Sequence, residues 1–156
     1  MKEKSLEVGM KAPNFIINFS DGSKESLRDY LGQKVLICFY PKDNTPGCTL
    51  EVCSLSDSSK EFKKKKIKVF GISKDSEKSH QNFINKYKLK LSLVPDQDLK
   101  IITSFGVLNE KGSARRVSFL LDEKGEIINI WRKVNTREHA KEVLELSEVK
   151  KIHKQQ

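Results

Sequence analysis

The sequence predicts an α/β domain with a mixed central sheet and helices on both faces. Three observations lead there. Short apolar, β-branched runs alternate with helix-period segments, the pattern of strands joined by crossover helices. Two of those runs, Lys34 to Tyr40 (KVLICFY) and Ile67 to Ile72 (IKVFGI), are nearly continuous in apolar residues, as expected of strands buried on both faces. Late in the chain, Val117 to Leu121 and Ile127 to Trp131 flank Asp122-Glu123-Lys124-Gly125. Such a pair reads as a hairpin, so one side of the sheet turns antiparallel.

The elements follow in order. Phe15 to Phe19 is a short strand that ends at the turn cluster Ser20-Asp21-Gly22-Ser23. Ser26 to Leu31 reads as a short helix stopped by Gly32. After the strand 34–40, a long helix-compatible segment runs from Pro46 to about Lys65, followed by the strand 67–72. Asp75 stands where an N-cap would, ahead of a helix to Tyr87 with Phe83, Ile84 and Tyr87 facing inward. Pro95-Asp96 opens a short helix carrying Leu99, Ile102 and Phe105, stopped by Gly106. After the hairpin, Thr136 caps a last helix with Val143, Leu144 and Leu146 on one face.

Length and charge narrow the class. At 156 residues the chain is expected to form one domain, 1–149, with a basic tail at 150–156. It shows no repeat and no Ser/Gly/Pro linker. The N-terminus has no apolar core behind its lysines, and the longest wholly apolar run, Val35 to Tyr40, is far below the ~18 residues a membrane span needs. The expected setting is the cytoplasm, with no membrane partner. The net charge of +9 invites a nucleic-acid reading, with Lys60, Lys63, Lys64, Lys65, Lys66 and Lys68 as its densest block. That block lacks aromatics suited to base stacking, because Phe62 has a core spacing. The expectation is a solvated surface and no nucleic acid.

Three cysteines in a reducing compartment are too few for a disulfide scaffold. Cys38 lies inside a strand buried on both faces and reads as core packing. The other two lie in Pro41-Lys-Asp-Asn-Thr45-Pro46-Gly47-Cys48-Thr-Leu-Glu51-Val-Cys53. Thr45-Pro46 is a helix-start signature, which makes Cys48 the third helical residue. Unpaired N–H groups and the helix dipole there favour an anion, and so a reactive thiolate. The alternative is a cysteine that fills a small apolar niche. Cys53 is five residues on, about 8–9 Å away between Cα atoms in an intact helix. A disulfide needs about 4.4–6.8 Å. Either the two cysteines are independent, or the first helical turns open and let them meet. His80, His139 and His153 have no motif context and read as surface or satisfied residues. With no C-x2-C pair, neither a metal nor another cofactor is expected.

Pro41-x-x-x-Thr45-x-x-Cys48 resembles the signature of the peroxiredoxins. With Cys53 five residues later, it is similar to the peroxiredoxin Q subfamily, also called bacterioferritin comigratory protein. The likeness continues through Phe39-Tyr40-Pro41-Lys42-Asp43, Gly71-Ile72-Ser73 and Arg116-Val117-Ser118-Phe119, and extends over roughly Val8 to Leu146. It implies a thioredoxin-like fold. It further implies a thiol peroxidase acting on hydrogen peroxide and organic hydroperoxides, recycled by a thioredoxin- or glutaredoxin-like reductant, as a monomer or weak dimer. By position, Cys48 is the peroxidatic cysteine and Cys53 the resolving one. Thr45 offers its hydroxyl to the thiolate and the peroxide, Pro41 shields the site from water, and Arg116 holds the thiolate and polarises the peroxide. Glu51, a looser match, stands where it could orient Arg116. The rival reading, a disulfide oxidoreductase of thioredoxin type, lacks the C-x-x-C motif.

Overall fold

The computed structural model describes residues 5–19 and 21–146. The expected tail at 150–156, the end of the expected domain at 149, and His153 lie outside the described residues.

Five strands form the expected mixed sheet. β3 (Lys34–Phe39) is its centre, β4 (Ile67–Ser73) and β5 (Ser92–Pro95) lie on one side, and β6 (Val117–Leu121) and β7 (Ile127–Trp131) on the other, in the order β5-β4-β3-β6-β7. β3 pairs in parallel with β4, and β4 with β5; β3 and β6, and β6 and β7, are antiparallel. The switch from parallel to antiparallel therefore falls at β3. Its residues alternate between two apolar clusters. Val35, Ile37 and Phe39 join Phe70, Ile72, Phe105 and Phe119 on one face. Leu36 and Cys38 join Leu55, Phe62, Val69, Leu120 and Val143 on the other. Each such side chain contributes about 1.5–3 kcal/mol on burial, so β3 is pinned from both faces.

α1 (Pro46–Asp57), α2 (Ser59–Lys64) and α3 (Glu77–Tyr87) cover one face, together with α5 at 139–146. α4 (Lys100–Ser104) covers the other face, along with a small hairpin of β1 (Ile16–Asn18) and β2 (Lys24–Ser26).

Several expected elements are corrected. The helix expected over 46–65 is two helices, broken at Ser58 (φ −96°, ψ 13°). The run Ser56-Asp57-Ser58-Ser59 offers the backbone side-chain alternatives to helical bonds, and Ser56 Oγ accepts from Lys90 N at 2.7 Å. The segment read as a helix from Ser26 is a strand to Ser26 and then a 3-10 turn at Leu27–Tyr30. The cap of α3 is Ser76, not Asp75, and its hydroxyl accepts from Ser79 N. Tyr87 faces solvent, and His80 takes the inward place beside Phe83. Pro95-Asp96 ends β5 rather than opening a helix. Asp96 instead reaches forward and accepts from the N–H groups of Ile101 and Ile102 at the start of α4. Thr136 does not cap the last helix, which starts at 139; it lies in a turn in which Asn135 Oδ1 accepts from the N–H groups of Arg137 and Glu138.

Candidate active site

The site forms where β3 ends and α1 begins. Pro46 is the first residue of α1, so Cys48 is the third, as the sequence predicts. The helix N-terminus directs unpaired N–H groups towards it. Cys48 is 1% exposed and packs against Tyr40, Val52, Phe83 and Leu89.

Arg116 closes the site from the other side of β3. It lies one residue before β6. Its Nη2 donates to Cys48 Sγ at 3.4 Å, and its Nη1 donates to Glu51 Oε1 at 2.7 Å. One guanidinium thus spans a sulfur and a carboxylate, a use of its rigid fork that lysine could not reproduce. The Arg116 side chain keeps a quarter of its surface exposed, while Glu51 is sealed. Burial pushes the Glu51 carboxyl up to about 7, against the lowering effect of the Arg116 hydrogen bond and charge. The spacing Cys48, Glu51 (i, i+3) puts both on one face of α1, a signal that could have promoted Glu51 on residue spacing alone.

Gly47 is a site residue that the motif contains but the sequence reasoning did not single out. A Cβ there would lie 3.1 Å from Arg116 Nη2 and 3.7 Å from its Cζ. The absence of a side chain lets the guanidinium approach the helix start. Gly47→Ala should leave the fold intact and displace Arg116 by a few tenths of an ångström. The expected loss in peroxide reaction rate is on the order of tenfold, measured by stopped-flow, because small misplacements of a positioning group are costly.

The remaining expected residues take definite places. Thr45 is the residue preceding α1, but its hydroxyl makes no capping bond; it donates to Lys42 O at 2.9 Å rather than to Cys48. Pro41 is half-buried on the loop after β3. Cys53 is partly exposed, and burial first, then the Asp57 charge, raises its thiol above the ordinary value. It borders a groove of about 420 Å³ lined by Thr49, Leu50, Ser54, Asp57, Ser58 and Arg137. Cys48 and Cys53 are both free thiols in an intact α1. Cys38 is 1% exposed in the core, and burial raises its thiol well above the ordinary value.

The loop 41–45 is fixed by a buried network that the sequence did not disclose. Asp43 is 7% exposed and accepts from Tyr40 Oη at 2.6 Å and Ser79 Oγ at 2.8 Å; His80 Nδ1 lies 2.7 Å from it. Its own N–H donates to Asp75 Oδ2. Burial alone would raise the Asp43 carboxyl, but His80, Tyr40 and Ser79 together hold it below the ordinary value. Tyr40 is local, but Asp75, Ser79 and His80 lie 32 to 37 positions away, on the loop after β4 and on α3, beyond any local pattern. His80 is thus a satisfied core histidine. His139 is fully buried and its Nδ1 has no hydrogen-bond partner among the described residues, which corrects the expectation of a surface or satisfied residue.

Comparison with known proteins gives a consistent result. Residues 8–130 match the AhpC/TSA family. The chain is 42% identical to a protein of Coxiella burnetii described as a putative peroxiredoxin bcp, over 90% of this chain and 97% of that one. It is 35% identical to peroxiredoxin Bcp of Bacillus subtilis, over 90% and 94%. Among solved structures, a PrxQ mutant from Xylella fastidiosa superposes with a TM-score of 0.87 at 31% identity, over 94% of this chain and 98% of that one. The bacterioferritin comigratory protein of Xanthomonas campestris, described for its alkyl peroxide reduction activity, superposes with a TM-score of 0.80 at 35% identity, over 86% of this chain and 90% of that one.

Proposed function

Because this chain belongs to the AhpC/TSA family, as a thioredoxin-fold peroxiredoxin of the Bcp and Q type, we propose that its peroxidase chemistry runs through Cys48 and is completed by Cys53. The observation that carries the reading is the Arg116 guanidinium 3.4 Å from Cys48 Sγ at the start of α1.

The Cys48 thiolate attacks one oxygen of a hydroperoxide in line with the O–O bond. The O–O bond breaks, Cys48 becomes a sulfenic acid, and the leaving oxygen departs as alkoxide or hydroxide and takes a proton to become alcohol or water. Negative charge moves from sulfur to the leaving oxygen. Arg116 and the first-turn N–H groups are fixed donors for both ends of that movement, and donors already in place cost no reorganisation. Thr45 joins them if its hydroxyl turns from the Lys42 carbonyl towards the incoming peroxide. Pro41 limits water at the mouth of the site. Hydrogen peroxide and alkyl hydroperoxides are the proposed substrates.

The Cys53 thiol then condenses with the sulfenic acid, releasing water and forming a disulfide. A thioredoxin- or glutaredoxin-like dithiol reduces it, approaching over the groove beside Cys53, and is itself oxidised. We place this cycle in a reducing cytoplasm, in a monomer or weak dimer. Among the described residues no helix is long and apolar enough to cross a membrane.

The intact helix sets a condition. A separation of about 8–9 Å must close to about 5.5–6 Å, so the first turns of α1 must open. Cys53→Ser should keep the first oxidation step within about twofold of wild type, because the Arg116 guanidinium donates to Cys48 and Glu51 and not to Cys53, and should lose recycling by thioredoxin. In the oxidised wild type, amide exchange should rise from Thr49 to Leu55. Full turnover by Cys53→Ser with thioredoxin, or unchanged protection in a confirmed 48–53 disulfide, would contradict this cycle.

A further inference from the structure

Two buried polar atoms beneath the active site have no hydrogen-bond partner among the described residues: Glu51 Oε2 and His139 Nδ1. Both side chains are fully buried. The two side chains are close: a Glu51 carboxylate oxygen, a His139 ring nitrogen and the Cys38 sulfur lie within 4.8 Å of one another. The other polar atom of each side chain is already committed. Glu51 Oε1 accepts from Arg116, and His139 Nε2 lies 2.8 Å from Ser118 Oγ. Trp131 packs edge-on against the imidazole, with ring centroids 5.2 Å apart, and limits its rotation. An unpaired buried polar atom costs about 1–3 kcal/mol, and two on neighbouring side chains can satisfy each other.

We propose that His139 is a positioning residue for the reactive site: its Nδ1–H donates to Glu51 Oε2, directly or across one buried water, and so holds the carboxylate that holds Arg116 against Cys48. The inference rests on the peroxidase reading of Cys48. The chain of side chains runs Ser118, His139, Glu51, Arg116, Cys48, and joins β6, α5, α1 and the segment before β6 into one support. The tautomer this requires is the one in which Ser118 O–H donates to Nε2 and the single ring proton sits on Nδ1; burial lowers His139 to about 4 and keeps the ring neutral. A donor on Oε2 favours the charged carboxylate and opposes the burial that raises Glu51.

The groups facing this pair are few. Arg116 faces Glu51, Cys38 comes from β3 with its thiol neutral, and Ser118 comes from β6. From α5 itself, the half-exposed Glu142 places Oε1 3.8 Å from His139 Nδ1 and is the competing acceptor.

The test uses the full chain in a Cys53→Ser background and measures alkylation of Cys48 by iodoacetamide, and its oxidation by hydrogen peroxide, across pH. Removing the Nδ1 donor with His139→Ala or His139→Gln should move the acidic limb of both profiles up by about one unit, roughly tenfold slower near pH 6.5 and less than about twofold near pH 8.5. His139→Asn, whose amide nitrogen stands near the Nδ1 position, should return the limb towards wild type, and Glu142→Gln should leave it in place. A limb unmoved in a folded His139→Ala protein, a loss of equal size at every pH, or an equal shift in Glu142→Gln would overturn the proposal. If His139→Ala fails to fold, the difference between Asn and Gln decides. Alkylation needs no peroxide, so a shifted alkylation limb without peroxide consumption would retain the positioning role and reject the peroxidase reading.

Discussion

Cys48→Ser is expected to fold as the wild type and to consume hydrogen peroxide at least about a thousandfold more slowly, since removal of an activated nucleophile costs several orders of magnitude. The hydroxyl is smaller than the thiol, and the niche formed by Tyr40, Val52, Phe83 and Leu89 accepts it without strain. What is lost is the anion. The donors at the start of α1 and the Arg116 guanidinium can favour a thiolate, but a serine hydroxyl is far too weak an acid to ionise there at neutral pH. Peroxide consumption coupled to a thioredoxin system checks this, with circular dichroism to confirm the fold. Cys38→Ser serves as the control for loss of a thiol, because Cys38 packs in the core with Leu36, Leu55 and Leu120, in a different cluster from Cys48. A Cys48→Ser protein with undiminished turnover would remove Cys48 from the chemistry.

Arg116→Met should slow oxidation of Cys48 by about 10² to 10³, the usual effect of losing a preorganised donor to developing charge. It should also change stability in a pH-dependent way. Arg116 is the hydrogen-bond partner of a carboxylate that is otherwise sealed. Removing one member of a buried pair can cost about 3–5 kcal/mol when the other stays charged. Glu51 avoids much of that cost by taking a proton. Burial already raises it from 4.5 to about 7 with Arg116 in place, and without Arg116 it rises further. A group whose folded value is raised contributes stability that is present at low pH and lost as pH climbs through the folded value. Arg116→Met should therefore approach wild-type stability near pH 4.5 and fall progressively below it above pH 7, as measured by urea unfolding across pH. Adding Glu51→Gln should flatten that dependence without restoring the rate. Recovery of the rate in the double variant would show that Arg116 acts only as a counter-ion to Glu51.

What the sequence disclosed and what it hid divide along a physical line. β3, β4 and the β6–β7 hairpin were legible because burial on both faces writes itself as continuous apolar runs and a loop of turn residues. Cys48 was legible because Thr45-Pro46 marks the start of α1. β2 and β5 were not. Lys24-Glu25-Ser26 has no apolar pattern, and Pro95 at an edge strand imitates a helix start. The break at Ser58, the cap at Ser76 and the turn at Asn135 depended on which of several adjacent polar residues wins the backbone, a competition that propensity does not resolve. Arg116 entered through resemblance. No spacing rule ties position 116 to 48, since the two meet only because β6 lies beside β3. The Asp43–His80 network and the Glu51–His139 pair are long-range in the same sense, and each of their members alone looks like an ordinary polar residue.

The central claim is that Cys48 is oxidised by peroxide and trapped by Cys53. Mass spectrometry of the reduced wild type after one equivalent of hydrogen peroxide tests it most directly. The expected product is a single intramolecular disulfide linking the peptides that carry Cys48 and Cys53, with Cys38 still a free thiol, and in Cys53→Ser a sulfenic acid on Cys48 instead. Oxidation that falls on Cys53 or Cys38 while Cys48 remains a thiol would contradict it.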